Sequence, residues 1–139
     1  MAKRTGHGAT LKVDDDSNGS YTTIGDVKQI GGPKIMREKI NATTLDSTLV
    51  IYIPGDPKEI GDVPFVICYD PNSTTHQTIR SLIDANTTCP WQLVMANYST
   101  TKTWAFSGFV QNFEVGEMTS NSLVEATITI TPTTDFSVS

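Results

Sequence analysis

Within Leu123–Pro132 apolar and polar side chains alternate without interruption from Val124 to Thr131. Val124, Ala126, Ile128 and Ile130 fall on one parity, and Glu125, Thr127, Thr129 and Thr131 on the other. A two-residue repeat fits an extended strand, whose successive side chains point to opposite faces. On a helix the same four apolar residues would be spread around the axis, and no single stripe could be buried. Such a strand needs partners for its backbone N–H and C=O groups and a cover for its apolar face. It therefore commits much of the chain to a sheet.

The remaining sequence supplies that sheet. Residues 104–115 read as a second long strand in which the phase changes. Trp104 and Phe106 lie on one parity, while Phe109, Phe113 and Val115 lie on the other, and Gly108 between them marks the expected β-bulge. The turn 116–121 joins this strand to the alternating one as an antiparallel hairpin. Upstream, Ala9–Val13 and Ser20–Ile24 flank an acidic connection with Asn18-Gly19 at its tip, a strong hairpin signal. Val27–Ile30, Ile35–Ile40, Phe65–Tyr69 and Trp91–Tyr98 complete a set of seven or eight strands. One helix is predicted over residues 74–86. Thr74 and Gln77 have the spacing of a capping box, Ile79, Leu82 and Ile83 share a helical face, and Asn86 can close the last turn.

Residues 41–62 break the pattern. The run Leu49-Val50-Ile51-Tyr52-Ile53 sits between the turn-rich stretches Thr43-Thr44-Leu45-Asp46-Ser47 and Pro54-Gly55-Asp56-Pro57. As a strand it places Leu49, Ile51 and Ile53 on one face and Val50 and Tyr52 on the other. A strand apolar on both faces is either central in its sheet or covered by something else, and in a small domain another subunit is a reasonable cover.

At 139 residues the chain suits one domain with a single core, spanning residues 1–139. The expected fold class is mainly β, a single-domain antiparallel β-sandwich or partial barrel with one flanking short α-helix. Residues 1–8, rich in Gly and charge, read as an N-terminal arm. Residues 133–139, beyond Pro132, read as a C-terminal tail, and neither end is expected to build the core. The basic start Met1–Gly6 has no apolar stretch behind it, so no secretory signal is expected. No apolar run approaches the roughly 20 residues that a membrane helix requires.

The formal net charge of -5 is unevenly spread: residues 1–58 hold seven acids and eight bases, residues 59–139 eight acids and two bases. A surface that grips duplex DNA needs clustered Lys and Arg, and no such cluster is present. Cys68 and Cys89 are far apart in sequence and lack neighbouring metal ligands, and reduced thiols are expected for both.

The residues that could carry chemistry have simpler explanations. Asp14-x-Asp16-x-Asn18-Gly19 matches the first half of a calcium loop, but Gly25 stands where the closing Glu should be, and the flanks are strands. An acidic hairpin turn accounts for it. His7 and His76, the only histidines, belong to no ligand or triad pattern, so the many Ser and Thr hydroxyls have no evident activator. Trp91, Trp104 and Phe106 could stack on single-stranded bases. Without basic neighbours they are expected in the core. No catalytic residue, cofactor or metal is expected.

The order of landmarks is informative. Tyr21-Thr22-Thr23-Ile24-Gly25-Asp26-Val27 is followed by Ile30-Gly31-Gly32-Pro33, Ile40–Ser47, Pro54-Gly55 and Gly61-Asp62-Val63. Then come Tyr69-Asp70-Pro71-Asn72, Thr75-His76-Gln77, Trp104–Val110, Phe113-Glu114-Val115 and the closing Thr/Ile strand. Across residues 8–132 this series resembles the major tail tube proteins of long-tailed, non-contractile bacteriophages. The resemblance implies rings of six subunits whose inner sheets merge around a lumen. The rings would stack around a tape-measure protein into a tube that passes double-stranded DNA without binding it specifically. It further implies tail-tip and tail-terminator partners, no membrane partner, a place in the virion tail, and assembly in the host cytoplasm. Some relatives add an immunoglobulin-like domain, which is not expected here. The segment 41–62 corresponds to the loop that contacts a neighbouring ring. Thr43, Leu45, Leu49, Val50, Ile51, Tyr52 and Ile53 are thus the candidate inter-subunit contacts. Fixed negative charge along a tube wall would repel phosphates over a screening length of about 8 Å. A type VI secretion tube or a tail terminator would share this fold, and a monomeric β-sandwich binding module is a reading of another class.

Overall fold

The computed structural model describes residues 7–46, 48–96 and 100–139. The arm up to Gly6, Ser47, and the 97–99 end of the strand expected to reach Tyr98 lie outside the described residues. Among the described residues the chain forms β1 (Thr10–Val13), β2 (Thr22–Thr23), β3 (Val27–Ile30), β4 (Ile35–Asn41), β5 (Tyr52–Ile60) and β6 (Val63–Cys68). These precede α1 (Thr74–Ala85), β7 (Thr88–Met95), β8 (Lys102–Val115), β9 (Glu125–Pro132) and β10 (Ser137–Val138). One antiparallel sheet runs β2-β1-β7-β8-β9-β6-β3, with β10 added on β8. β1 and β3, from opposite ends of this order, touch, so the sheet curls into a partial barrel. β4 and β5 pair only with each other, as a separate two-stranded ribbon.

The alternation in β9 does what its period requires. Ala126, Ile128 and Ile130 are buried, and Thr127 and Thr129 take the other face. At about 25 cal/mol per Å² of apolar surface, each fully buried Ile contributes about 2–3 kcal/mol. β6 presents Val63, Phe65 and Ile67 to the same core, and β7 presents Cys89, Trp91 and Leu93.

The parity switch in β8 is present, but not at Gly108. Val110 pairs with Ile130 and Asn112 with Thr129, so Gln111 is the extra residue. Phe106, Gly108 and Val110 therefore share the core side before the bulge, and Phe113 joins it afterwards. Phe109 stays on the opposite face from these three, correcting the expected grouping. Gly108 has another physical reason to be glycine. A Cβ there would stand 2.7 Å from the carbonyl oxygen of Thr131 and 3.1 Å from Ile130 Cγ2. The Gly108 carbonyl also accepts the buried Trp91 indole N–H at 3.1 Å.

The helix covers the core with Ile79 and Leu82 and packs against β8. Its N-cap is Ser73 rather than Thr74, and the Ser73 side chain makes no capping hydrogen bond. Gln77 does not close a capping box, because its side-chain amide donates to Pro71 O at 2.9 Å. Asn86 ends the helix in the left-handed conformation, φ 54° and ψ 46°, as expected. The helix is fastened instead by His76, fully buried. Its Nδ1 accepts the Asp70 backbone N–H at 3.0 Å, and its Nε2 N–H donates to Gly25 O at 2.7 Å. Gly25 N–H in turn donates to Thr75 Oγ1 at 3.2 Å. The Tyr21–Val27 landmark is thus the seat of the helix N-terminus.

The C-terminal tail also departs from expectation. β10 extends the β9 edge along β8, pairing Ser137 with Ala105 and Val138 with Trp104. Phe136 packs edge-on against Trp104 and Phe106, with ring centroids 5.7 and 5.3 Å away. Pro132 ends one strand but not the sheet. The Phe136→Ala substitution is expected to lower stability by about 2 kcal/mol, since a half-buried aromatic loses part of its burial and two ring contacts. Urea unfolding followed by Trp fluorescence measures it, and an unchanged midpoint would show the tail to be a passenger.

Both cysteines are free thiols. Burial pushes the Cys89 thiol up to about 11 from an ordinary 9.0, with Asp15 and Asp14 adding in the same direction. In the unfolded chain this thiol would ionise first, so between about pH 9 and 11 the unfolded state holds fewer protons and stability falls. The expected result is a Tm that declines over that window more steeply in the wild type than in Cys89→Ala.

Candidate assembly surface

The β4–β5 ribbon is held by its own chemistry. Ile35 pairs with Ile60, Met36 with Glu59 and Arg37 with Lys58. Beyond a shift in register, Lys39 pairs with Pro54, Ile40 with Ile53 and Asn41 with Tyr52. Glu38 thus opposes the three residues 55–57, a wide bulge in β5. Gly55 makes it possible: a Cβ there would lie 2.8 Å from Glu38 O. The Arg37 guanidinium donates to Gly55 O at 2.9 Å and locks the bulge. At the far end the Thr43 hydroxyl accepts the Ile51 backbone N–H at 2.8 Å, and the Asn41 side chain accepts the Thr43 N–H at 2.9 Å.

Paired residues of an antiparallel ribbon share a face, and neighbours along a strand alternate. One face therefore carries Met36, Ile40 and Ile53, with Ile51 continuing it toward the tip. The other carries Arg37, Lys39, Lys58 and Tyr52, and Lys39 Nζ sits 4.4 Å from the centroid of the Tyr52 ring. Near the base, Lys58 bridges to Asp135 of the C-terminal tail at 2.5 Å. That contact, with the Phe136 N–H, holds the Asp135 carboxyl below the usual carboxylate range. The link is complete above the ordinary carboxylate range and dissolves as pH falls below it.

All seven predicted contacts lie in this segment and are exposed, but they do not form one face. Leu45, Leu49 and Val50 belong to the tip rather than to a strand, and Leu45 is completely exposed. Ile51, Tyr52 and Ile53 are about half exposed. Thr43 is a staple of the ribbon itself. The two-sided apolar strand is not central in any sheet, and the ribbon extends further than expected, from Ile35 to Ile60 rather than over 41–62. Ile35, Met36 and Ile40 were missed. They stand among charged residues, and only cross-strand pairing brings Ile40 beside Ile53, with Met36 on the same face and Ile35 on the other, beside Ile60. Their available signal was weak: Met36, Glu38 and Ile40 alternate with Arg37 and Lys39.

A second, smaller apolar cluster is exposed on the β8–β9 turn, at Val115, Met118 and Leu123. Glu114 and Glu117 flank it. Among the described residues, Val138 is the one exposed large apolar side chain outside the ribbon and this turn. The acidic β1–β2 loop is no such surface. Asp14 is buried, and its two carboxylate oxygens accept the N–H groups of Asn18 and Gly19 at 3.1 and 2.7 Å, which occupies the carboxylate within the turn.

No family model and no curated protein matches this sequence, whereas solved structures match its fold. A chain in the six-fold symmetrised baseplate of the anti-feeding prophage has a TM-score of 0.81 at 10% identity, with 99% of this chain and 96% of that chain covered. A chain in the tail of an empty gene transfer agent particle, refined helically with C6 symmetry, has a TM-score of 0.80 at 12% identity, with 99% of both chains covered. The SPP1 tail tube has a TM-score of 0.73 at 11% identity, with 94% of this chain and 76% of that chain covered. The chain shares a fold with these tail components.

Gly55→Ala tests the independence of the ribbon. It should leave the cooperative unfolding of the main sheet within about 1 kcal/mol, because no buried core residue is touched. Amide protection over residues 36–54 should be lost. Unfolding of the whole domain by this substitution would show that ribbon and core form one cooperative unit.

Proposed function

We propose that this protein is a structural tail tube subunit, which polymerises as stacked rings into the hollow tube of a phage or phage-like particle and performs no chemistry. The observation that carries the reading is the β4–β5 ribbon. It projects exposed Ile40, Ile51 and Ile53 from a fold shared with tail components of helical and six-fold symmetry. A ribbon of two strands is marginal in water by itself, and exposed apolar surface of this kind marks an interaction site.

On this reading the rings are hexameric and the ribbon of one ring contacts the next. The assembled tube encloses a tape-measure protein, ends on tip and terminator proteins, and passes double-stranded DNA. The scarcity of bases in residues 59–139 suits a wall that must not retain phosphates. A terminator built on the same fold would form one ring and stop, and a binding module would stay monomeric. Negative-stain imaging of concentrated protein separates the three outcomes.

Ile51→Asp is the decisive variant. Ile51 is exposed in the isolated subunit, so the change should alter subunit stability by no more than about 0.5 kcal/mol. In an assembled contact the carboxylate would be buried without a partner, at several kcal/mol per site. The expected result is a normally folded subunit that forms no tubes. Tubes of normal length from the variant would remove the ribbon from the ring-to-ring contact.

A further inference from the structure

Two exposed apolar clusters stand on this subunit, and the strand registers fix where they lie relative to each other. The ribbon leaves the body between Pro33 and Gly61 and re-enters at Val63, the start of β6. Val63 pairs with Ile130, while Cys68, at the other end of β6, pairs with Glu125. Glu125 opens β9 and also accepts the Gly116 N–H through its backbone carbonyl at 2.7 Å, closing the β8–β9 turn. The ribbon and the turn are therefore at opposite ends of β6 and β9. Five residue steps of a strand separate those ends, about 17 Å along the sheet. Within one subunit the root of the ribbon and the turn therefore stand at opposite ends of the sheet.

Both clusters are apolar at their centres. The distal half of the ribbon offers Ile40, Ile51 and Ile53 on one face, while Lys39 lies on the other face, over the Tyr52 ring. The turn offers Val115, Met118 and Leu123 with Glu114 and Glu117, and it carries no base. Arg37 and Lys58, nearer the ribbon base, are already engaged by Gly55 O and Asp135. Glu125 is likewise engaged by Lys28, at 3.2 Å. The turn is held in shape by its own hydroxyls, Thr119 to Ser122.

Resting on the assembly reading above, we propose that the β8–β9 turn is the receiving surface for the β4–β5 ribbon of another copy of this chain. Ile51 and Ile53 cover Met118 and Leu123, and the Glu114 and Glu117 carboxylates stay in water at the rim of the contact. The contact is heterologous, since the two patches differ and occupy opposite ends of the subunit. Such contacts propagate in one direction and close only where a rotation allows it. The contact thus supplies the head-to-tail polarity along which rings stack.

Complementation between two defective chains tests this assignment. Ile51→Asp/Ile53→Asp removes the donor and keeps the receiver, while Met118→Asp/Leu123→Asp removes the receiver and keeps the donor. All four positions are exposed in the subunit, and melting curves establish that each variant is folded. Each variant alone should raise the protein concentration needed for polymerisation by on the order of tenfold or more, as charges in a desolvated contact do. Mixed, they should form a complex in equal proportions that does not extend, because one intact contact joins them and both outer surfaces are defective. Sedimentation velocity on the mixture, with one chain fluorescently labelled, reads this directly.

A folded Met118→Asp/Leu123→Asp chain that polymerises like the wild type would overturn the assignment of the receiver while leaving the assembly reading intact. So would a mixture that forms no complex while the wild type assembles. A wild-type chain that stays monomeric at every concentration would overturn the assembly reading and this proposal with it.

Discussion

The whole domain hangs on β8, a single strand that must serve three partners. β7 takes one of its edges, while β9 and β10 share the other in succession. A strand can change partners along one edge only where the chains come close and then part. Here that crossing is at Gly108, with the Thr131 carbonyl oxygen pressed where a side chain would otherwise begin. The missing Cβ lets β9 pass close. The bulge at Gln111 then turns Phe113 into the core, where it meets Tyr69 edge-on at 5.7 Å. Tyr69 stacks on His76, and His76 seats the helix. Helix placement, core filling and the position of the turn beyond Val115 all follow from how β8 is threaded.

The ribbon stands apart from this sheet. The edge of β6 away from β9 is taken by β3, and β4 and β5 pair only with each other. They satisfy each other's backbone and leave their side chains in water. Their local fastenings are electrostatic or polar: Arg37 on Gly55 O, Lys39 over Tyr52, Lys58 on Asp135. Water and salt screen such exposed contacts, so they fix geometry more than they stabilise. The ribbon thus has enough internal structure to keep its register and too little burial to be complete alone. Its apolar face needs a cover from outside the subunit.

What was legible in the sequence follows the strength of each periodic signal. β9 was plain, because eight residues alternate and the core takes every second one. The parity change in β8 was also legible, but a glycine drew the bulge to itself; close backbone approach and bulging both select glycine, and sequence does not separate them. Asn86 was found because a left-handed helix end has few suitable residues. The N-terminus was misread because Ser73 and Thr74 are equally good caps by composition. The run 49–53 was visible as apolar and Ile35–Ile40 as a strand, while their pairing was not, since pairing is a long-range fact. β10 spans two residues and has no period at all. His76 gave no motif because its two partners are backbone groups from distant segments.

A subunit whose donor and receiver differ has a consequence for the ends of whatever it builds. In an isologous pair both apolar patches would disappear together, and assembly would stop at two. In a heterologous array each added ring covers one surface and exposes another of the same kind, so growth never satisfies the last subunit. One end of such a tube presents bare ribbons and the other bare turns. The two ends are then chemically distinct: one is an apolar ribbon face, the other an apolar turn flanked by carboxylates. Different proteins would be required to cover them, one carrying a turn-like acidic surface and one a ribbon-like apolar one. Polarity in a tail, on this argument, originates in the opposite placement of two short segments at the ends of β6 and β9.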